Sequence, residues 1–453
     1  MNRMRFVFAL ATFGAVLGLS PARAQDPSTD SRPAGAARID AAFQKFWAAR
    51  SPAEAALIVA DVVKTGVPFD EALRRLKHGR TYAAQATGVK LTKRTQGGIE
   101  HYYAVDVPPG YDPARPYQVR FQLHGGTGGR TDNMPRGNGR IGALAGAEQI
   151  YVLPYAWKDR QWWSHDQVLN LDAIIDALKR TYNVDENRVV LSGVSDGGTG
   201  VYYVAMLNTT PFASFLPLNG FLMVLSSDDI DDGGLFPGNL RNKPLFAVNG
   251  GRDRMYPTAI VEPFINHMLR NGVDIAYYPQ PNAEHNTAWW PDMKDTFEKF
   301  VADRPRDPDP DKLTWETTGM HDRAHWLIID QLGAQPSDTK DMPDVGALGD
   351  SLGVARLAAT SRSLFSRTKS SGRVDLVRTG NTIEAATKGV AAFTLLLSPD
   401  KFDFDQPIKV VANGRVVFNG RVERSVKTLM KWAARDNDRT MLYAAERKIK
   451  LAP

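Results

Sequence analysis

The feature that most restricts this chain is Gly193-Val194-Ser195-Asp196-Gly197-Gly198, set between a short apolar run, Val189 to Leu191, and a helical pattern over 198–207. A G-x-S-x-G pattern alone recurs by chance. Between a strand and a helix it reads as a sharp turn that lifts the serine hydroxyl out of the backbone, the nucleophile elbow. Glycines on either side let the flanking chains approach closely. A glycine-rich turn with an incidental serine is the competing reading.

The surroundings fit a layered α/β architecture. Strand patterns at 119–123, 150–153, 189–191, 215–218, 245–248 and 275–278 alternate with helical patterns at 168–182, 198–207, 258–271 and 289–302. Such alternation predicts a doubly wound, mostly parallel sheet covered by helices on both faces. On such a sheet, ligands bind at the carboxyl edge of the strands. A serine hydroxyl needs a base there. Of eight histidines, His285 follows the 275–278 strand on a loop at that edge. His165 is the best rival, and His124 belongs to a glycine loop. The base in turn needs a carboxylate to orient it. Asp253 follows the 245–248 strand in Gly250-Gly251-Arg252-Asp253. Asp228, Asp229, Asp231 and Asp232, in the loop after the preceding strand, are the rival acids. The order Ser195, Asp253, His285 is the chain order of α/β-hydrolases.

A tetrahedral oxyanion needs N–H donors already in place. The amide of Asp196, next after the serine, supplies one. The loop His124-Gly125-Gly126-Thr127-Gly128-Gly129 supplies the other, from Gly126 first or Gly125. The same loop lacks the Gly-Lys-Ser/Thr ending of a phosphate-binding loop. Trp162, Trp163 and Trp289 lie close in sequence to these loops and are candidate substrate-binding residues. Packing in the core is the equal alternative for them.

Four segments resemble the α/β-hydrolase superfamily: Val107-Pro108-Pro109-Gly110-Tyr111, His124-Gly125-Gly126, Gly193 to Gly198 and Gly250-Gly251-Arg252-Asp253. They are similar to secreted esterases of the feruloyl-esterase and polyhydroxybutyrate-depolymerase kind, and to the catalytic domain of prolyl-oligopeptidase-type peptidases. The resemblance covers 99–303, about 205 of the 453 residues. It implies hydrolysis of a carboxylic ester, on a small or oligomeric substrate, through an acyl-enzyme. A peptidase is the alternative, and a non-catalytic binding protein on the same fold is a third reading. No Glu-Glu pair that could capture a peptide amine occurs in the chain, which favours the ester. No cofactor and no metal are expected.

The flanks divide the rest. Residues 1–24 combine Arg3 and Arg5, an apolar run from Phe6 to Leu19, and Ala22-Arg23-Ala24. This is the form of an export signal cleaved after Ala24, and it predicts a periplasmic or extracellular protein. The apolar run is short for a membrane span, which needs ~20 residues. Residues 25–98 read as a disordered lead-in and a helical lobe, with Ser51-Pro52-Ala53-Glu54 as a helix start. Residues 304–311, nearly all Pro, Arg and Asp, read as a linker. Beyond them, 312–453 shows period-2 patterns and Asn413-Gly414, a hairpin turn signal, and predicts an accessory β-sandwich. It resembles the sandwich that follows hydrolase domains in some bacterial secreted proteins.

Cysteine is absent, which removes disulfides, thiolate metal sites and a cysteine nucleophile. Charge is uneven: residues 351–453 carry a net +10 and residues 25–350 a net −7. With no arginine-rich block or nucleic-acid motif, the basic part reads as a solvated domain face, and no nucleic-acid partner is expected.

Overall fold

The computed structural model describes residues 34–227, 229–334, 365 and 369–451. Residues 1–24, expected to be an export signal, and the start of the lead-in lie outside the described residues, as does Asp228. Among the described residues no helix is long and apolar enough to cross a membrane.

Three helices come first: α1 Ala34–Ala48, α2 Pro52–Lys64 and α3 Phe69–His78. Ser51 caps α2 by accepting the Glu54 amide at 3.1 Å, with Pro52 in the first turn. The helical part ends at His78. The rest of 25–98 is corrected by β1, Gly88–Gln96, which pairs along its whole length with β2, Ile99–Val107. Its sequence, Gly-Val-Lys-Leu-Thr-Lys-Arg-Thr-Gln, has no clear apolar alternation because both faces remain partly open.

The central sheet then adds β3 Tyr117–Leu123, β4 Ile150–Pro154, β5 Val184–Val194, β6 Ser214–Leu218, β7 Leu245–Gly250 and β8 Ile275–Gln280. Its order is β1-β2-β4-β3-β5-β6-β7-β8. β1, β2 and β4 pair antiparallel, and every pairing from β4 through β8 is parallel. Alternation along the strands sends side chains to two cores. Leu191, Leu245 and Ala247 pack with α4 His165–Thr181, α5 Asp196–Leu207 and α6 Thr258–Arg270. Val190, Phe246 and Val248 pack with α7 Trp290–Ala302 on the other face. The sheet is thus doubly covered, and its carboxyl edge is left for loops.

The C-terminal part forms two facing sheets. One runs β10 Arg323–Ala324, β11 Leu327–Leu332, β14 Val390–Leu397 and β17 Ala445–Lys450. The other runs β16 Arg415–Gly420, β15 Ile408–Ala412, β13 Thr382–Lys388, β12 Gly372–Thr379 and β9 Lys312–Thr317. They share a core around Trp315, Trp326, Phe393 and Leu395. Asn413 and Gly414, at φ 47° and 78°, turn β15 into β16.

One expectation about this part changes. The 304–311 segment is a packed strap, not a free linker: Arg306 and Asp309 are each 3% exposed. Arg306 pairs with Asp438 at 2.9 Å, and Asp438 also takes Lys179 at 3.0 Å. A compositional reading sees the prolines and charges but not the buried partner of Arg306. The strands of this part are interrupted by a helix, α8, Val426–Asp436. Its Leu429, Met430, Ala433 and Ala434 close the core of α1–α3, while Trp432 faces the sandwich. The first and last parts of the chain therefore share one core. Charges pair across this contact in both directions. Asp438 is an acid of the basic part held by two cations of the body, whereas Arg439 pairs the other way with Glu186 at 2.7 Å.

Candidate active site

Between β5 and α5 the chain turns at Ser195, with φ 57° and ψ −121°. A non-glycine residue held there stores strain of about 1–3 kcal/mol, which must be offset by its surroundings. The clamp is visible at Gly193 and Gly197. A Cβ on Gly193 would lie 2.3 Å from the Gly197 carbonyl oxygen, and one on Gly197 would lie 2.3 Å from that of Leu123. The Ser195 amide donates to Leu218 O at 2.9 Å, and its carbonyl accepts from Thr199 at 2.9 Å.

Three loops at the carboxyl edge meet over this turn. His285, after β8, lies with Nε2 2.8 Å from Ser195 Oγ and Nδ1 2.6 Å from Asp253 Oδ2. Asp253, after β7, has a fully buried side chain, while the His285 ring is 24% exposed. The second carboxylate oxygen of Asp253 accepts the amides of Met255 and Tyr256 at 2.8 and 2.9 Å. With Nδ1–H donating to Asp253, Nε2 is left to accept the serine proton. The loops that carry Asp253 and His285 are zipped together: the Gly251 amide donates to Gln280 O at 2.8 Å and the Arg252 amide to Ala283 O at 2.9 Å. Asn219 Nδ2 braces the His285 loop at Asn286 O, 2.8 Å away. Tyr256 meets the His285 ring edge-on at 5.7 Å.

The glycine loop after β3 covers the serine from the other side. A Cβ on Gly125 would lie 2.9 Å from Ser195 Cβ. Gly126 turns away in the left-handed region at φ 67°. His124 holds this loop in shape. Its Nε2 accepts the Ala156 amide at 3.1 Å, which leaves Nδ1–H to donate to Gly125 O at 2.8 Å. Burial lowers its pKa to about 4, so the ring is neutral in this role. The amide and hydroxyl of Thr127 both donate to the Asp196 carboxylate, at 2.7 and 2.8 Å. Among the described residues no acceptor takes the amides of Gly125, Gly126 or Asp196.

The structure thus brings together Ser195, Asp253, His285, Gly125, Gly126 and Asp196. It does not bring the tryptophans into an open pocket. Trp162 is wholly buried and Trp289 is 5% exposed. Trp162 supports the glycine loop from behind, donating Nε1–H to His124 O at 2.7 Å. Trp289 packs beside Trp290 in the α7 core. Trp163 is partly buried against the main core. Their large apolar surfaces are worth more inside than at a cleft rim. The rivals are engaged elsewhere: His165 Nδ1 lies 2.9 Å from His321 Nε2, and Asp231 and Asp232 accept the amides of Gly233 and Gly234. Sequence reasoning missed the Thr127–Asp196 tie and Tyr256. A hydroxyl residue directly after a Gly-Gly pair, and an acid directly after the serine, were the only available signals.

No family model matches the chain. It is 25% identical over 278 residues to the lasso peptide isopeptidase AtxE2 of Asticcacaulis excentricus, covering 49% of this chain and 39% of that protein. It is 24% identical over 212 residues to a probable feruloyl esterase C of Aspergillus terreus, covering 44% of this chain and 74% of that protein. The chain therefore spans well under half the length of the first relative and about three quarters of the second. Among solved structures, a thermostable esterase aligns with TM-score 0.39 and 19% identity, over 48% of this chain and 63% of that one. A mostly parallel sheet in the order found here, with a serine turned out between its fifth strand and the next helix, gives the chain the α/β-hydrolase fold, and over part of its length the chain is similar to a lasso peptide isopeptidase and a feruloyl esterase.

Proposed function

We propose that this protein is a serine hydrolase that cleaves carboxylic esters through an acyl-enzyme. The observation that carries the reading is the continuous hydrogen-bonded line from Ser195 Oγ through His285 to a buried Asp253, at 2.8 and 2.6 Å. His285 Nε2 takes the Ser195 proton as Oγ attacks the ester carbonyl carbon. The carbonyl oxygen, now negative, is held by the amide of Asp196 and by that of Gly126 or Gly125. Collapse breaks the bond to the alkoxy oxygen, which leaves with the proton from His285. Water then repeats the sequence on the acyl-serine, with His285 taking its proton, and releases the acid and free Ser195. Asp253 keeps Nδ1 protonated throughout and stabilises the imidazolium. The feruloyl esterase relative supports the ester as substrate.

One observation favours a second reading. The match to AtxE2, an isopeptidase by name, spans more of this chain than the esterase match. Amide cleavage by the same groups is that alternative. Action outside the cytoplasm follows from the basic-apolar-small pattern of residues 1–24.

The test is Ser195→Ala with a panel of acyl esters and peptide amides. Loss of about 10⁶ in kcat, together with loss of fluorophosphonate labelling, is expected. Labelling that survives the substitution refutes the assignment, and turnover of amides with none of esters replaces the first reading by the second.

A further inference from the structure

His285 is held to its two partners by different means. Toward Asp253 the tie is backbone: the Gly251 and Arg252 amides bond to Gln280 and Ala283. The two loops are also pressed together, since a Cβ on Gly250 would lie 2.4 Å from Ala283 O. Toward Ser195 there is no such zip. The serine follows β5 and the histidine follows β8, with β6 and β7 between them. Apart from the Ser195–His285 contact itself, one hydrogen bond among the described residues joins the serine side of the site to the 281–288 loop. It runs from Asn219 Nδ2 to Asn286 O, at 2.8 Å.

Asn219 is itself fixed to the serine turn. It follows β6, whose last residue, Leu218, accepts the Ser195 amide at 2.9 Å. Gly220, next after it, packs backbone to backbone on α5: a Cβ there would lie 2.5 Å from the Gly198 carbonyl carbon. The Asn219 amide donates to Val248 O at 2.7 Å, and Asn249 Nδ2 holds Gly220 O at 3.1 Å. The Asn219 side chain thus leaves a turn that is rigid with respect to Ser195 and ends on the residue after His285.

The position admits few residues. Its φ is 49°, in the left-handed region, where glycine, asparagine and aspartate sit at least cost. Of these only asparagine can donate to a carbonyl: glycine has no side chain, and an aspartate carboxylate only accepts. Asn219 is fully buried, and with Nδ2 on Asn286 O its Oδ1 has no partner among the described residues. A buried amide oxygen left unpaired is destabilising. Glycine would fit this backbone without that cost. Stability alone therefore does not account for the asparagine, and the one bond its side chain makes goes to the His285 loop.

We propose that Asn219 is a positioning residue that sets the reach of His285 Nε2 to Ser195 Oγ, while the loop zip separately sets the reach of Nδ1 to Asp253. This rests on the serine-hydrolase reading. Asn219 touches no reacting atom. It acts through the Asn286 carbonyl on the approach of His285 to the proton that leaves Ser195 Oγ as Oγ attacks.

The experiment uses the full-length protein, Asn219→Gly and Asn219→Asp. It reads kcat/KM for 4-nitrophenyl acetate, and both the rate constant and the endpoint of fluorophosphonate labelling. Glycine keeps the backbone and drops the side chain; aspartate keeps the shape and cannot donate. Each variant is expected to lose about ten- to a hundredfold in kcat/KM and in labelling rate, the scale of a misplacement of about 1 Å. The labelling endpoint stays complete. In Asn219→Gly the acid limb of the pH profile does not move, because the His285–Asp253 contact is untouched. A variant that merely folds less well shows the reverse, a full rate with a lowered endpoint, and that result overturns the proposal. Rates within about twofold of the unsubstituted protein overturn it too. If Asn219→Gly gives no endpoint, Asn219→Asp decides alone, and loss of the endpoint in both makes Asn219 a residue of the fold and overturns the proposal. All of these outcomes leave the hydrolase reading standing. Absence of both turnover and labelling in the unsubstituted protein overturns that reading, and this inference with it.

Discussion

Asp438→Asn tests how the parts of this chain are held together. The carboxylate is fully buried, as is the Arg306 side chain, and Lys179 is 5% exposed. Burial opposes the charge of Asp438, but Arg306 and Lys179, with hydrogen bonds from Thr440, hold its carboxyl far below the usual carboxylate range. The asparagine keeps the shape and loses the charge. Arg306 retains Asn187 Oδ1 at 2.9 Å and Thr440 Oγ1 at 2.8 Å, but two buried cations are left without an anion. Breaking a buried pair in this way costs about 3–5 kcal/mol. For a cooperative unit of this size the unfolding entropy is roughly 0.9 kcal/mol/K, so Tm falls by about 3–5 °C at pH 7. The pH dependence has a definite sign. A depressed carboxyl contributes stability that is complete above its unfolded pKa of about 3.9 and is lost as pH falls below it. The gap between the two proteins is therefore constant from pH 5 to 7 and narrows below about pH 4. Calorimetry across that range checks it. A gap under about 1 °C at pH 7, or one that widens in acid, refutes the network as a stabilising clamp.

Asp253→Asn leaves the fold intact and lowers kcat by about 10⁴, because the amide cannot hold the His285 tautomer; ester turnover and circular dichroism check both halves, and the same change at Asp229 leaves turnover nearly unaffected. Thr127→Val removes one of two donors to Asp196 and loosens the oxyanion loop, with kcat expected to fall about ten- to a hundredfold at little change in KM for a neutral ester. A chain ended near Pro310 loses Leu429, Met430, Ala433 and Ala434 from the α1–α3 core; it is expected to aggregate, and removing residues 34–80 as well is expected to restore more soluble protein, as read by sedimentation.

The alternation of strands and helices from 117 to 302 was legible because buried parallel strands are short apolar runs and their covering helices are amphipathic. Ser195, Asp253 and His285 stood out because each follows a strand at the same edge of the sheet. β1 was not legible, since an edge strand open on both faces carries no alternation. The strap was misread because Arg306 finds its anion at Asp438, far along the chain. The tryptophans near the cleft loops were assigned by sequence proximity, whereas burial depends on which way each side chain leaves the backbone. Trp162 turns inward under His124, and nothing local to Gln161-Trp162-Trp163 announces it. Arg120, wholly buried and stacked over the Phe297 ring at 4.5 Å, was equally invisible.

The core shared by α1–α3 and α8 sets a schedule. The apolar faces of the first helices meet Leu429 and Met430 only when the ribosome has added about 350 more residues beyond Leu76. At synthesis rates of about 5–20 residues per second, that is a wait of roughly 20–70 s. Through that interval Phe43, Phe46, Val62 and Leu76 have one another but lack the helix that closes over them. The α/β sheet between, whose strands all precede α8, has time to form first. The N-terminal helices, although made first, are thus among the last parts of the molecule to reach their final packing. During those seconds their half-covered face is where a chaperone would hold the chain or a protease would cut it.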